Sequence, residues 1–201
     1  AKGFAEPLPC WLPRADASFL PAEVKVSLVG RTTEQERLLH WLQGGEQARK
    51  MVVEGPTGSG KSSLLAKIRS DAVQKGWTIL PLLADPLSIR TPLQPWRRPL
   101  QLLFQEQDPL EQDEYTGSFG ILRADQENEQ RMNRLKAAVT RQLQEKGLLL
   151  ICVDQAQDLD SASWNLLLHL SEALENLWVL IGLSKPCTLP SRVQEALQSA
   201  P

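Results

Sequence analysis

Short unbroken apolar runs alternate along this chain with longer stretches whose apolar residues recur at helical spacing. Met51 to Glu54 is too short for a helix and is closed by Gly55, so it predicts a strand. Leu64, Leu65 and Ile68 then share one helical face, and Gly76 ends that helix. Trp77 to Leu83 predicts a second buried strand, and residues 84–95, with Pro86, Pro92 and Pro95, predict a loop. A helix over about 96–106 leads into an acidic, glycine-containing stretch to about 124, read as a solvated insert without metal-ligand spacing. Over residues 126–146, Met132, Leu135, Val139 and Leu143 line one helical face, with Gly147 beyond its end. The apolar run Leu148 to Val153 predicts a strand ending on Asp154. A helix over 161–174 and a fourth strand from Leu177 to Gly182 follow.

Ahead of this series, Thr32 or Thr33 can cap a helix, and Glu36 completes a Thr-x-x-Glu capping box with Thr33; that helix carries Leu38, Leu39 and Leu42 and stops at Gly44-Gly45. Residues 1–27 hold Pro7, Pro9, Pro13 and Pro21 without a sustained helical period, so they predict a linker or extended tail before a domain over 28–201. Strands alternating with helices predict an α/β fold of three layers, a parallel sheet covered on both faces.

Composition narrows the function classes. With 201 residues the chain holds one sizeable α/β domain, and 42% hydrophobic with 23% charged residues is ordinary for a globular protein. A net charge of -2 excludes an extended nucleic-acid-binding surface, and the local cluster Arg90, Arg97 and Arg98 reads as a solvated face around a loop. Cys10, Cys152 and Cys187 are too few and too scattered for a disulfide framework or a zinc site, which predicts a reducing, cytoplasmic setting. No apolar stretch approaches the roughly 20 residues of a membrane span. The chain starts on Ala1 and ends on Pro201, and reads as a segment of a longer protein.

Candidate chemistry sits between the first strand and the following helix. Gly55-Pro56-Thr57-Gly58-Ser59-Gly60-Lys61-Ser62, followed by Ser63, satisfies the P-loop spacing in the strand–loop–helix context that the motif needs. Its glycines let successive N–H groups turn inward on a phosphate, and the positive end of the helix adds to that field. Lys61 is expected to bridge the β- and γ-phosphates of a nucleoside triphosphate, with the Ser62 hydroxyl on Mg2+. Asp154 would arrive at the C-terminal edge of the same sheet and hold the metal directly or through water.

The order Leu28-Val29-Gly30-Arg31, P-loop, Thr91-Pro92-x-x-Pro95-Trp96-Arg97, Val153-Asp154-x-Ala156-Gln157-x-x-Asp160 resembles the AAA-type P-loop ATPase domain of large signalling proteins, over about residues 27–190. The resemblance implies ATP with Mg2+ as ligand, Val29, Gly30 and Arg31 beside the adenine, and a five-stranded sheet ordered 5-1-4-3-2. Only four of those strands are placed, and the fifth strand and helical lid are expected to be missing. It also implies an acidic residue after Asp154 as base for the attacking water, where this chain has Gln155. An amide cannot take a proton, although it can orient water. Asp158 and Asp160 are substitute carboxylates or, alternatively, helix caps. In the family a Gly-x-x-Arg-Pro element senses the γ-phosphate, whereas here Gly182-Leu183-Ser184-Lys185-Pro186 puts Lys185 in the arginine's place, keeping the charge without the bidentate fork.

Lys2-Gly3-Phe4-Ala5-Glu6-Pro7 resembles the closing strand of class III adenylyl/guanylyl cyclase domains. Together the two resemblances imply the ATPase segment that follows a cyclase domain. Its partners would be a nucleotide, the attached cyclase and other domains of the same chain, and a second copy when nucleotide is bound. The functional expectation is an ATP-binding regulatory switch with weak hydrolysis. The alternatives are an active ATPase using Asp158, Asp160 or Gln155-positioned water, and a scaffold independent of nucleotide.

Overall fold

A computed structural model describes residues 30–45, 48–104 and 126–198. Its sheet has four parallel strands, β1 (Lys50–Gly55), β2 (Thr78–Leu83), β3 (Leu149–Asp154) and β4 (Leu177–Ser184), ordered β1-β4-β3-β2. That is the 1-4-3-2 portion of the expected order. The pairing aligns the C-terminal ends: Gly55 lies opposite Ser184, and Leu83 lies opposite Asp154. β4 runs two residues beyond its predicted end at Gly182, which carries Ser184 to the start of the loop after β1.

Helices cover both faces. On one side, α1 (Thr32–Leu42) and α2 (Lys61–Gln74) bury Leu38, Trp41, Leu64, Leu65 and Ile68 against Met51, Leu150, Cys152 and Leu180. On the other, α3 (Arg97–Leu103), α4 (Gln126–Gln144) and α5 (Ser161–Ala173) bury Leu100, Val139, Leu143, Leu166 and Leu170 against Leu149, Ile151, Val153 and Ile181. β3 therefore alternates its residues between two dry layers, which is why it reads as an unbroken apolar run. A short α6 (Ser191–Gln198), which the periodicity did not predict, packs Val193 onto the second layer. Its eight residues after Pro190 do place Val193, Ala196 and Leu197 at helical spacing, but the stretch is too short for that period to stand out in sequence.

Three elements differ from expectation. The capping box at Thr33 is not formed: both threonines lie inside α1, and Arg31 is its N-cap, left-handed at φ 56° with no side-chain cap. A Gln35 amide that donates to the Gly30 carbonyl at 2.9 Å ties down the entry turn in its place. The 84–95 loop contains two 3-10 turns, Pro86–Ser88 and Gln94–Trp96, the first capped by Asp85, which accepts from Leu87 N. The third helix spans Arg97–Leu103, and residues 105–106 of its prediction lie outside the described residues, as do the 1–27 tail and the acidic insert. β2 is the outer strand on its side of the sheet and carries Pro81 within it.

Cys152 sits under α2, and burial pushes its thiol up to about 12, the Arg69 guanidinium opposing and Asp154 adding to that rise. Unfolding releases the thiol to its ordinary value of 9.0, so its contribution to stability is complete below that pH and is lost as pH climbs towards 12. An aromatic disulfide reagent at pH 8 should label Cys187 promptly and leave Cys152 unmodified until denaturant is added. Prompt labelling of native Cys152 would contradict its placement in the core.

Candidate functional site

β1 delivers Gly55 to the sheet edge, and the chain turns through Pro56–Gly60 into α2. Gly58 and Gly60 are both left-handed, at φ 78° and 82°, conformations that a side chain would strain. A Cβ on Gly55 would stand 3.0 Å from Ser59 Oγ, so the loop closes tightly on itself. Lys61, the first residue of α2, is only 6% exposed, and its ammonium donates to the carbonyls of Gly55 at 3.0 Å and Pro56 at 2.8 Å. Among the described residues this buried ammonium is held by neutral carbonyls and has no counter-charge, so it is ready for an anion. Ser59 Oγ is buried without a hydrogen-bond partner among the described residues, a second polar atom left to a ligand.

Ser62 and Asp154 line one cavity of about 540 Å³. Asp154 is the last residue of β3, and its Oδ1 accepts the Gln155 N–H at 2.9 Å. A Cβ on Gly182 of the neighbouring strand would lie 3.4 Å from that oxygen and 3.0 Å from Leu65, so glycine leaves the room the carboxylate occupies. Hydroxyl and carboxylate facing one space are hard oxygen donors, the set that suits Mg2+. With the phosphate-binding loop beside them, the residues present fit a magnesium–nucleotide complex.

The other sequence-predicted residues sort into distinct places. Arg31 reaches the loop: its guanidinium donates to the Ser59 carbonyl, and its Nε lies 4.0 Å from where a Gly60 side chain would begin. It braces the backbone of the loop between Pro56 and Gly60. Gly30 accepts from Gln35, Ser63 occupies the first turn of α2, and Val29 lies outside the described residues.

Gln155 is left-handed at φ 55° and starts a 3-10 turn over Ala156–Asp158. Asp160 is not a spare carboxylate. It caps α5 by accepting Ser163 N at 2.9 Å and the Ser163 hydroxyl, accepts Leu93 N at 3.1 Å, and is 6% exposed. Asp158 accepts from the Gln157 amide at 2.7 Å. Lys185 donates its backbone N–H to the Gly55 carbonyl at 3.1 Å, while its ammonium is ion-paired with Glu54. The hydrogen bond that Lys185 donates to Glu54, then the charge of that carboxylate, raises Lys185 above the ordinary lysine value. Both side chains are more than a third exposed, so solvent screens the pair.

Two residues went unassigned a role in the sequence. Glu54 is the one charged position in the apolar run before Gly55, and that break in the pattern marks it. Gln157 accepts Ser184 N at 3.0 Å while donating to Asp158, so one amide joins the turn after Asp154 to the tip of β4.

A family model described as an AAA ATPase domain matches residues 27–181. Among solved structures, a DNA replication initiation factor superposes with a TM-score of 0.51 at 15% identity, covering 91% of this chain and 49% of that one. C. elegans PCH-2 gives a TM-score of 0.47 at 13% identity, covering 86% of this chain and 45% of that one. The chain thus spans about half the length of each. None of the curated proteins compared with the chain matches it.

Replacing Asp160 by Ala should cost about 2–3 kcal/mol in urea unfolding, a helix cap plus an orphaned Leu93 N–H. Asp158→Ala should cost well under 1 kcal/mol. Equal losses for the two would contradict the division of roles drawn here.

Proposed function

The chain belongs to the AAA ATPase domain family, and from that premise we propose that it is a nucleotide switch that binds magnesium–ATP and turns it over slowly. One observation carries the second half of this reading. Each carboxylate between Asp154 and Asp160 already accepts a hydrogen bond from the protein, and the residue directly after Asp154 is an amide. General-base assistance is worth about 100- to 10,000-fold, so its loss leaves bound nucleotide long-lived. The buried Lys61, the left-handed glycines and the paired Ser62 and Asp154 support the binding half.

In this proposal Arg31 keeps the loop shaped for phosphate, with Gly30 and Val29 nearer the base. Nucleotide binding draws Lys61 off the Gly55 and Pro56 carbonyls and on to the β- and γ-phosphates. Gln157 and the Gly55–Lys185 hydrogen bond pass the resulting shift to the end of β4. Attached domains, including a cyclase domain suggested by Lys2 to Pro7, and a second copy are the proposed recipients. The resemblance at Lys2 to Pro7 is what supports the cyclase.

Magnesium–ATP at a hundred times its Kd should stabilise the native state by about 2.7 kcal/mol. For a chain of this size that raises Tm by roughly 5–10 °C, and Lys61→Ala should abolish the shift. No shift for the parent protein would leave a scaffold that ignores nucleotide. In single-turnover hydrolysis Gln155→Glu should gain about 100-fold over the parent protein. A parent protein that already hydrolyses within seconds would show that slow turnover is the wrong reading.

A further inference from the structure

The cavity that opens at Ser62 and Asp154 continues well past them. Ser62 and Arg69 are seven residues apart on α2, two turns along one face, so their backbones lie about 10 Å apart. The phosphates belong at the N-terminal end of α2, next to Ser62, and the deeper space belongs to other residues. Its volume, about 540 Å³ in all, is that of a small-molecule site.

Three polar groups mark its walls. Arg69 comes from α2 and Arg98 from α3, one half-buried and the other exposed, and neither guanidinium is hydrogen-bonded or ion-paired among the described residues. Gln94, at the 3-10 turn before α3, carries a buried carboxamide oxygen with no hydrogen-bond partner among the described residues. Away from Ser62 and Asp154, the lining between these groups is apolar: Pro81 from β2, and Pro99 and Leu102 one helical turn apart on α3 with Arg98. Two cationic forks, one orphaned acceptor and an apolar wall make a definite chemical demand. An occupant needs an anionic group placed towards the arginines and away from Asp154, an N–H or O–H for Gln94, and an apolar body for the prolines and leucine.

We infer that this cavity is a second binding site, for a small apolar organic anion bearing a hydrogen-bond donor, opening beside the magnesium-binding residues. It is formed by α2, β2 and α3 and does not require nucleotide to be bound.

Anilinonaphthalene sulfonate has these three features, and its fluorescence rises on leaving water. Titrated into the parent protein without nucleotide, it should bind saturably at one site. Arg69→Gln combined with Arg98→Gln should weaken it by about ten-fold or more. Leu102→Trp, which keeps both guanidiniums and fills the cavity, should remove it, while Lys61→Ala should leave it unchanged. Thermal melts of each variant establish that it is folded before titration. No saturable binding, equal affinity in the double or the Leu102→Trp variant, or loss of the probe in Lys61→Ala would each overturn the assignment.

Discussion

The burial of β3 between two helical layers is the constraint on which the rest of this structure depends. Leu149 to Val153 have no access to water on either face, so their backbone groups must pair with β2 and β4. Such a strand can end only where the sheet ends, and it ends on Asp154. Parallel pairing then brings the tips of β1 and β4 to the same edge, and the loop after β1 inherits its place beside the carboxylate. The placement of the site is thus set by the apolar residues of a strand whose last residue alone enters it.

Backbone strain is concentrated at this edge. Among the described residues, the three non-glycine residues with left-handed backbones are Arg31, Leu93 and Gln155. Such a conformation disfavours a side chain by roughly 1–2 kcal/mol per residue. Arg31 is held by its reach to Ser59, Leu93 by the Asp160 carboxylate, and Gln155 by Asp154. Each strained residue is therefore fixed by a polar contact with the loop, the cap or the Asp154 carboxylate.

Much of the fold was legible because its signals are local. Four strands, the helices that separate them and the loop at Gly55 to Ser62 follow from runs, periods and spacing within a few residues of each other. What escaped depends on neighbours brought together by topology. The Lys185–Glu54 pair exists because β1 lies against β4, and nothing near either residue announces the other. The N-cap of α1 was misread for a related reason. A Thr-x-x-Glu pattern competes locally with a turn that is tied to a distant loop, and the distant tie prevails. Likewise Asp160 is decided by Leu93, which lies 67 residues away in the chain. The cavity between α2, β2 and α3 is a shape, and shape has no one-dimensional signature.

Pro81 gives the sheet a direction of growth. β2 is an outer strand, and an outer strand is a template on which another chain can pair. Proline lacks the N–H that a new partner would need, which makes β2 a poor template at its middle. β1, at the opposite border of the described sheet, has no proline in Lys50–Gly55. Any strand added to this domain, from its own polypeptide or from a neighbour, is thereby steered to the border that carries the phosphate loop. Extension of the sheet and the state of the nucleotide would then be felt by the same strand.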